Sequence, residues 1–163
     1  MARLTPVFST NRTVRQYTDE HYVPAATAYR QRAEKKGLLG VDLLNWQAQL
    51  EKHWSTVRFG SATVEKKDGQ LIFQVQVFLD DLDPETVKAE LYANSVTGDA
   101  PVTQPMNRGN RLVGSTNGFT YTASIPATRP AADFTPRLVP QQTGASIPLE
   151  APFILWHDSP SWR

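Results

Sequence analysis

The chain has 163 residues, 40% of them hydrophobic, which is enough to bury one core with a small helical addition beside it. Seventeen Lys and Arg against sixteen Asp and Glu leave a formal charge of +1, so the sequence favours neither nucleic acid nor an anionic membrane as partner. The absence of cysteine excludes a disulfide framework and any thiolate chemistry, and favours a cytoplasmic location. Apolar runs are short and "MARLTPVFST" lacks a signal-peptide core, so we expect a soluble protein.

The first third of the chain carries helical signals. Ser9 or Thr10 can cap a helix, and Pro24 should kink or break it at Tyr22 to Val23, because proline removes a backbone donor and clashes with the preceding turn. The apolar and small residues at roughly helical spacing are Val14, Tyr17, Tyr22, Ala25, Ala26, Tyr29 and Ala33. "EKKG" then predicts a helix end with Gly37 in the left-handed conformation.

A further helix is predicted after Gly37, with Asp42 as its amino-terminal cap. Steps of three and four place one apolar stripe on it, formed by Leu43, Trp46, Leu50 and Trp54. We therefore predict two or three helices in residues 1–55, which we call the helical segment.

After Trp54 the hydrophobic period changes from 3.6 to 2, which indicates strands. The Asp-Gly pair in "KKDGQ" predicts a hairpin. Its second strand alternates two faces: one has Leu71, Phe73, Val75, Val77 and Leu79, and the other has Ile72, Gln74, Gln76 and Phe78.

Alternation continues to the end of the chain, apart from a loop predicted at 94–110. The alternating residues are Val87, Ala89 and Leu91, then Phe119, Tyr121, Ala123 and Ile125, followed by "DFTPRLVP" and "PFILWH". Pro136 and Pro152 should occupy edge or initial positions, because neither can donate into a central ladder. About seven short strands predict an immunoglobulin-like β-sandwich in residues 56–163, and so an α+β chain.

Residues with catalytic or metal-binding chemistry form no motif that we can identify. The histidines His21, His53 and His157 lie in three predicted elements without ligand spacing, and the acidic "DDLDPE" at 80–85 lacks the pattern of a calcium loop. Glu65, Glu90 and Glu150 could act in pairs only if the fold brought two together, and Ser124, Ser146 and Ser159 lack a nucleophile elbow. "GNRLVGSTNG" has no phosphate-binding glycine pattern. The sequence thus predicts no catalytic, cofactor-binding or metal-binding residue.

Two surface sets have both a functional and a structural interpretation. The basic set either grips an anion or is the solvated side of a helix; it comprises Arg12, Arg15, Arg30, Arg32, Lys35 and Lys36. The aromatic set could form a sugar-stacking platform; it comprises Tyr92, Phe119, Trp156 and Trp162. Trp156 alternates with Ile154, which favours core burial instead.

The stretch "FSTNRTVRQYTDEHYVPAATAYRQR" resembles the closing helix of the α-glucan (glycogen) phosphorylase catalytic region. Phe8, Arg12, Val14 and Tyr17 match its Phe-Ser/Asn-small-Asn/Asp-Arg-x-Val/Ile-x-x-Tyr pattern. "YVPAA", "DFTPRLVP" and "IPLEAPFILW" resemble the tail of the shorter bacterial type of these enzymes.

The resemblance implies a parent enzyme that uses pyridoxal phosphate to transfer glucosyl units between an α-1,4-glucan and phosphate, releasing glucose 1-phosphate. The cofactor lysine and the phosphate-binding residues of that family lie upstream of the closing helix, so none is assigned here. We expect a carboxyl-terminal, non-catalytic piece that stabilises or assembles the enzyme, with the phosphorylase body as partner and possible contacts to α-1,4-glucan or a second copy. The alternative is an autonomous sandwich-type carbohydrate-binding module.

Overall fold

The computed structural model describes residues 9–96, 98, 100–158 and 162. The chain is of the α+β type: a helical stretch is followed by two antiparallel four-stranded sheets. It divides into two compact units, Met1–Asn45 and Trp46–Arg163. The division lies within a helix, so the last helical turns belong to the same unit as the sheets. The domain boundary expected at residue 55 stays a prediction.

The helical stretch begins at Thr10, as predicted, with α1 spanning Thr10–Tyr17. Ser9 caps it, because its side chain accepts a hydrogen bond from the Arg12 backbone N–H. The helix does not break before Pro24. Residues Thr18–Tyr22 form a π-helical turn, and the α-helix resumes at Val23. The wider turn accommodates a proline that lacks the N–H of a regular i to i−4 bond.

The second helical element, α2, spans Val23–His53 and consists of two helical parts joined across a kink, so the predicted helix end is present although no loop separates the two parts. The predicted stop at Gly37 is visible as a kink: residues 34–37 leave the helical region, and Gly37 has a φ of 78°. Helical structure continues directly from Leu38, so Asp42 lies inside α2. The prediction of Asp42 as a cap was therefore wrong, because the cationic turn before it already restarts the helix.

The described residues form eight strands after the helical stretch, where about seven were predicted. They are β1 Arg58–Lys67, β2 Gln70–Phe78, β3 Val87–Ala93, β4 Val102–Pro105, β5 Asn107–Arg111, β6 Gly118–Pro126, β7 Thr135–Pro140 and β8 Leu155–Trp156. Asp68 and Gly69 both have positive φ and close the β1–β2 hairpin, which confirms that prediction. The loop predicted at 94–110 was partly wrong, because β4 and most of β5 lie in it; all their residues are exposed and give no alternating pattern.

The first sheet has the order β1-β2-β6-β5 and the second has the order β4-β3-β7-β8. The faces of the middle strands are as predicted: Phe73, Val75 and Val77 of β2 are fully buried, while the residues between them are less buried. Tyr121 of β6 pairs with Val75 and is also buried. Each such apolar side chain contributes roughly 1.5–3 kcal/mol through burial.

The last turns of α2 contribute to the core of the second unit. Trp46 and Leu50 are buried, as the predicted stripe requires, whereas Trp54 is only half-buried. Leu43, the first residue of the stripe, is also buried but belongs to the first unit. The Trp46 indole N–H donates to the carbonyl of Thr86 at 3.4 Å. No helix in the described part of the chain is both long and apolar enough to cross a membrane.

Pro136 lies in β7, an inner strand of the second sheet, so it is not at an edge, but as the second residue of β7 it is close to the predicted initial position. Pro152 precedes β8 and lies outside any strand. The N and O atoms of a strand residue point to the same side. The carbonyl of Pro136 accepts the backbone N–H of His157, just beyond the two-residue strand β8. The side of Pro136 that lacks an N–H therefore faces the end of the β7–β8 pairing, where the loss of one hydrogen bond destabilises the sheet little.

Candidate functional site

The three histidines lie in different surroundings. His21 is exposed in the π-helical turn, with its ring 5.4 Å from that of Tyr17. His53 ends α2, with Nδ1 3.7 Å from a carboxylate oxygen of Asp81. The Nε2 atom of His157 is 3.2 Å from the carbonyl oxygen of Gly60. Among the described residues, no group of three or more acidic or histidine side chains could hold a metal ion.

The acidic stretch 80–85 supports a turn. Asp83 caps a short 3₁₀ helix by accepting the Glu85 backbone N–H at 2.9 Å, and the amide of Asn117 donates to the carbonyls of Asp80 and Leu82. These hydrogen bonds hold the backbone of the stretch in a turn, as the turn interpretation predicts.

The three candidate carboxylates have separate roles. Glu65 is exposed on β1, in the first sheet. Glu90 is buried on β3, in the second sheet. Glu150 lies in the β7–β8 connection, where its carboxylate accepts the backbone N–H of Ser146. Of the candidate serines, Ser124 is exposed and Ser159 lies outside the described residues.

The amino-terminal helices expose their aromatic and basic side chains together. No residue of α1 is buried. The exposed large apolar residues of this stretch are Val14, Tyr17, Tyr22, Val23 and Tyr29, and the basic set is exposed except for the half-buried Arg32. The solvated-face interpretation fits the basic set, but the aromatic residues are exposed in the same region.

The four aromatic residues of the predicted platform do not form one surface. Phe119 lies on β6 of the first sheet, with the guanidinium groups of Arg108 and Arg111 over its ring. Trp162 packs edge-on against the core residue Phe73. Tyr92 and Trp156 do meet, at 5.2 Å between ring centroids and 79° between ring planes.

Trp156 remains 41% exposed, so the prediction of core burial was wrong. It does share a face with Ile154, as predicted, and Ile154 is also exposed. That face is the outer one, because Trp156 pairs with Arg137 of β7, whereas its neighbour Leu155 pairs with the buried Leu138.

The outer face of the second sheet carries the most concentrated chemistry among the described residues. Lys88, Glu90 and Tyr92 alternate with the buried apolar residues of β3, so all three lie on this face. Arg137 stands directly opposite Glu90 on β7, and Trp156 is opposite Arg137 on β8. The strand register thus brings two cations, one carboxylate and two aromatic rings together. We call these five residues the outer-face cluster.

Glu90 is bound at both carboxylate oxygens. The Nε and Nη2 atoms of Arg137 donate to Oε1 at 2.8 and 2.5 Å, and the ammonium of Lys88 lies 2.9 Å from Oε2. Burial by itself would raise the pKa of Glu90. The hydrogen bonds and charges of Lys88 and Arg137 outweigh burial and hold that pKa below its ordinary value. Glu90 is therefore ionised at neutral pH.

The two rings fix the position of Arg137. Its guanidinium carbon lies 4.5 Å from the centroid of Tyr92 and 5.2 Å from that of Trp156, both within cation–π range. The Tyr92 hydroxyl donates to the side-chain oxygen of Asn94 at 3.2 Å, which holds that ring in turn. Ion pair and rings together make Arg137 a preorganised cation.

A groove of about 460 Å³ opens beside this cluster. Lys88, Glu90, Arg137 and Val139 of the sheet line one part of it. The connection between β7 and β8 lines the rest, with residues Gln141, Gln142, Ile147, Pro148, Phe153 and Ile154. The groove is thus charged on the sheet side and largely apolar on the connection side.

Sequence reasoning missed this cluster, although its parts were visible. The alternation in β3 places Lys88, Glu90 and Tyr92 on one face, and Arg137 lies on β7, the strand next to β3 in the sheet. The signal is a charged residue in an otherwise buried strand, which usually has a partner of opposite charge. The partner's identity depends on the pairing of β3 with β7, which the sequence does not state.

No protein-family model and no curated protein matches the chain.

Proposed function

We propose that this chain is a non-catalytic accessory region of a pyridoxal-phosphate-dependent α-glucan phosphorylase, and that it stabilises or assembles that enzyme. The observation that carries the proposal is the exposed aromatic surface of the amino-terminal helices, which we call the helix surface and define by Val14, Tyr17, Tyr22 and Tyr29. Aromatic side chains clustered on a surface are typical of sites that pack against another protein. In the parent enzyme, that other surface would be the phosphorylase body.

The resemblance that motivates this proposal falls on defined elements. Arg12, Val14 and Tyr17 lie in α1, whereas Phe8 is outside the described residues. "FTPRLVP" covers Phe134 and β7, and "IPLEAPFILW" leads into β8, the neighbour of β7. The two later tail patches therefore belong to one continuous part of the second sheet, which supports interpreting them as a single feature, whereas "YVPAA" lies at the start of α2.

We also propose that the sheets have immunoglobulin-like topology. If the strands are lettered in chain order with β4 as strand C′, the sheets become A-B-E-D and C′-C-F-G. Immunoglobulin constant-type domains have A-B-E-D against C-F-G. The observed order supports this class with β4 as an added edge strand. Because such sandwiches host many functions, the topology does not itself indicate glucan chemistry.

The partner test uses a bacterial-type α-glucan phosphorylase from which the corresponding tail has been removed. Light scattering should detect a complex with this chain, and Tyr17→Ala/Tyr22→Ala should weaken it by about tenfold or more, because interface aromatics contribute strongly to binding. Leu149→Ala is the matched control, since Leu149 is an exposed apolar residue of the other unit. Absence of a complex, or equal weakening by the control, would contradict the assembly role.

The non-catalytic role has its own assay. The chain alone, supplied with pyridoxal phosphate, maltoheptaose and phosphate, should release no glucose 1-phosphate above the blank. Release that depends on the chain would show that it contains catalytic machinery.

The alternative, an autonomous carbohydrate-binding module, would require rings that offer their faces to a sugar chain. Of the four candidate rings, only Tyr92 and Trp156 lie together, and they meet edge to face. A calorimetric titration with maltoheptaose separates the two functions. Saturable heat would support the module, whereas no heat would support the assembly role.

A further inference from the structure

The groove beside the outer-face cluster has the dimensions of a small-ligand site. Its volume of about 460 Å³ lies within the range of roughly 300–1,000 Å³ that is usual for such sites. All the residues that line it belong to the unit Trp46–Arg163. It can therefore be considered independently of the helix surface.

The charges that line the groove do not balance. Lys88 and Arg137 are both cationic, and Glu90 is the one acid among the described lining residues. Both oxygens of Glu90 are already engaged, so the set keeps one excess positive charge. In a partly buried position, an excess charge is stabilised by a counter-charge more strongly than on an open surface. The groove is therefore complementary to an anion.

Lys88 and Arg137 are also positioned so that an anion can bind to them. Arg137 uses Nε and Nη2 for Glu90, which leaves Nη1 outside that ion pair. The side chain of Lys88 is 40% exposed, so a ligand can reach its ammonium group. Because the ion pair and the aromatic rings already fix Arg137, little side-chain entropy is lost when an anion binds.

The rest of the groove defines what the anion is attached to. Ile147, Pro148, Phe153 and Ile154 present apolar surface, and Ile147 and Ile154 are exposed to solvent. A ligand body that covers these side chains would gain the free energy of apolar burial. A fully polar ion such as free phosphate would leave this surface wet.

We propose that the groove binds a small organic anion, with its carboxylate or phosphate on Nη1 of Arg137 and the exposed ammonium of Lys88, and its apolar body against Phe153 and Ile154. The site goes beyond the accessory role proposed above and does not depend on the phosphorylase parentage. If the groove bound no anion, the result of the partner test would not change. If the partner test failed, the proposal of an anion site would likewise remain.

Three probes of similar shape test the proposal. Benzoate and phenyl phosphate carry the two oxyanions on an aromatic ring, and benzyl alcohol is their neutral counterpart. In NMR titrations of the isotope-labelled full chain, both anions should shift the amides of Lys88, Arg137 and Ile154 in a saturable manner. Benzyl alcohol should bind about tenfold more weakly, as expected when a charge-assisted hydrogen bond is lost. Saturation by phenyl phosphate alone would identify a phosphate ester as the ligand class.

Variants with opposite expected effects complete the test. Lys88→Met keeps the apolar stem, removes the charge, and should weaken benzoate binding about tenfold. Lys66→Met, on an exposed position of β1 in the other sheet, should leave binding unchanged. Glu90→Gln should tighten it, because the competing carboxylate charge is gone while the rings of Tyr92 and Trp156 still hold Arg137. Misfolding could not produce that result. Equal binding of benzyl alcohol, or unchanged affinity in Lys88→Met, would overturn the proposal.

Discussion

Glu90 is a charged residue that is buried although it lies on the outer face of its sheet, between the half-buried Lys88 and Tyr92. Its side chain is 5% exposed, so ionisation would be costly without partners. Arg137 and Lys88 supply a cation at each oxygen, and they reverse the effect that burial has on the pKa. Buried pairs of this kind add little stability relative to apolar residues, but removal of one partner is strongly destabilising. Because Arg137 stands directly opposite Glu90, a one-residue slip between β3 and β7 would separate the pair.

The pH dependence of stability follows from the lowered pKa of Glu90. Because the pKa is lower in the folded state than in the unfolded state, its contribution is complete above the unfolded pKa. It is lost as the pH falls through the folded value. At pH 7, Glu90→Gln should lower the free energy of unfolding by roughly 3 kcal/mol, since it leaves Arg137 unpaired in a largely buried position. Urea unfolding of both proteins between pH 7 and pH 3 measures this difference, which should shrink as the pH falls. A constant difference across that range would show that Glu90 is not the titrating group.

The site could be predicted from the sequence only as separate parts. Alternation in "VKAELYA" gives the shared face of Lys88, Glu90 and Tyr92, and this is a local property of a strand. Arg137 is 47 residues away from Glu90 along the chain, and Trp156 is further still. Their meeting depends on strand order, which is set by the packing of the whole sheet and has no local signal.

At the scale of elements, the features predicted correctly from the sequence are those that depend on neighbouring residues: the turn of the hairpin and the alternating faces of the strands. The hairpin between β1 and β2 has Asp68 at φ 48° and Gly69 at φ 75°, values that match the twist of the adjoining strands. Faces with apolar alternation were predicted correctly. The exposed strands β4 and β5 were missed because neither has a buried face, and their pairing comes from β3 and β6.

Gly69 offers a test of the hairpin that is free of packing effects. A Cβ at Gly69 would meet no atom within 4 Å, so Gly69→Ala changes only the backbone preference. We expect it to destabilise the chain by about 1 kcal/mol, because an alanine resists the left-handed conformation. Tryptophan fluorescence during urea unfolding gives the value.

Gly40→Ala is the contrasting control for this substitution. Gly40 lies in α2 without a positive φ, and there alanine should raise helix content in far-UV circular dichroism. Stability unchanged by Gly69→Ala would mean that the hairpin is looser than the dihedral angles indicate.

At the scale of the whole molecule, one helix serves two compact units. The residues of α2 from Trp46 onward belong with the sheets, and Trp46 and Leu50 are part of the buried core. A boundary placed by secondary structure at residue 55 would separate these two side chains from the sheets. Packing, and not the change of hydrophobic period, therefore defines the second unit.

Two truncated chains distinguish these boundaries. Residues 46–163 should unfold cooperatively in urea, because the buried core of that unit is complete. Residues 56–163 lack both Trp46 and Leu50, and the loss of each large core side chain costs about 2–5 kcal/mol, so we expect little or no cooperative transition. Equal stability of the two chains would show that the helical turns are dispensable and would favour the boundary at 55.

The outermost strands of the described sheets also bear on how copies of the chain behave at high concentration. β1 and β5 each contain a register shift, β4 has four residues and ends in Pro105, and β8 has only two residues. Edge strands that are irregular, short or ended by proline are poor templates for hydrogen bonding to another chain. Fibril growth by edge-to-edge addition is thus disfavoured at all four margins, without help from a binding partner.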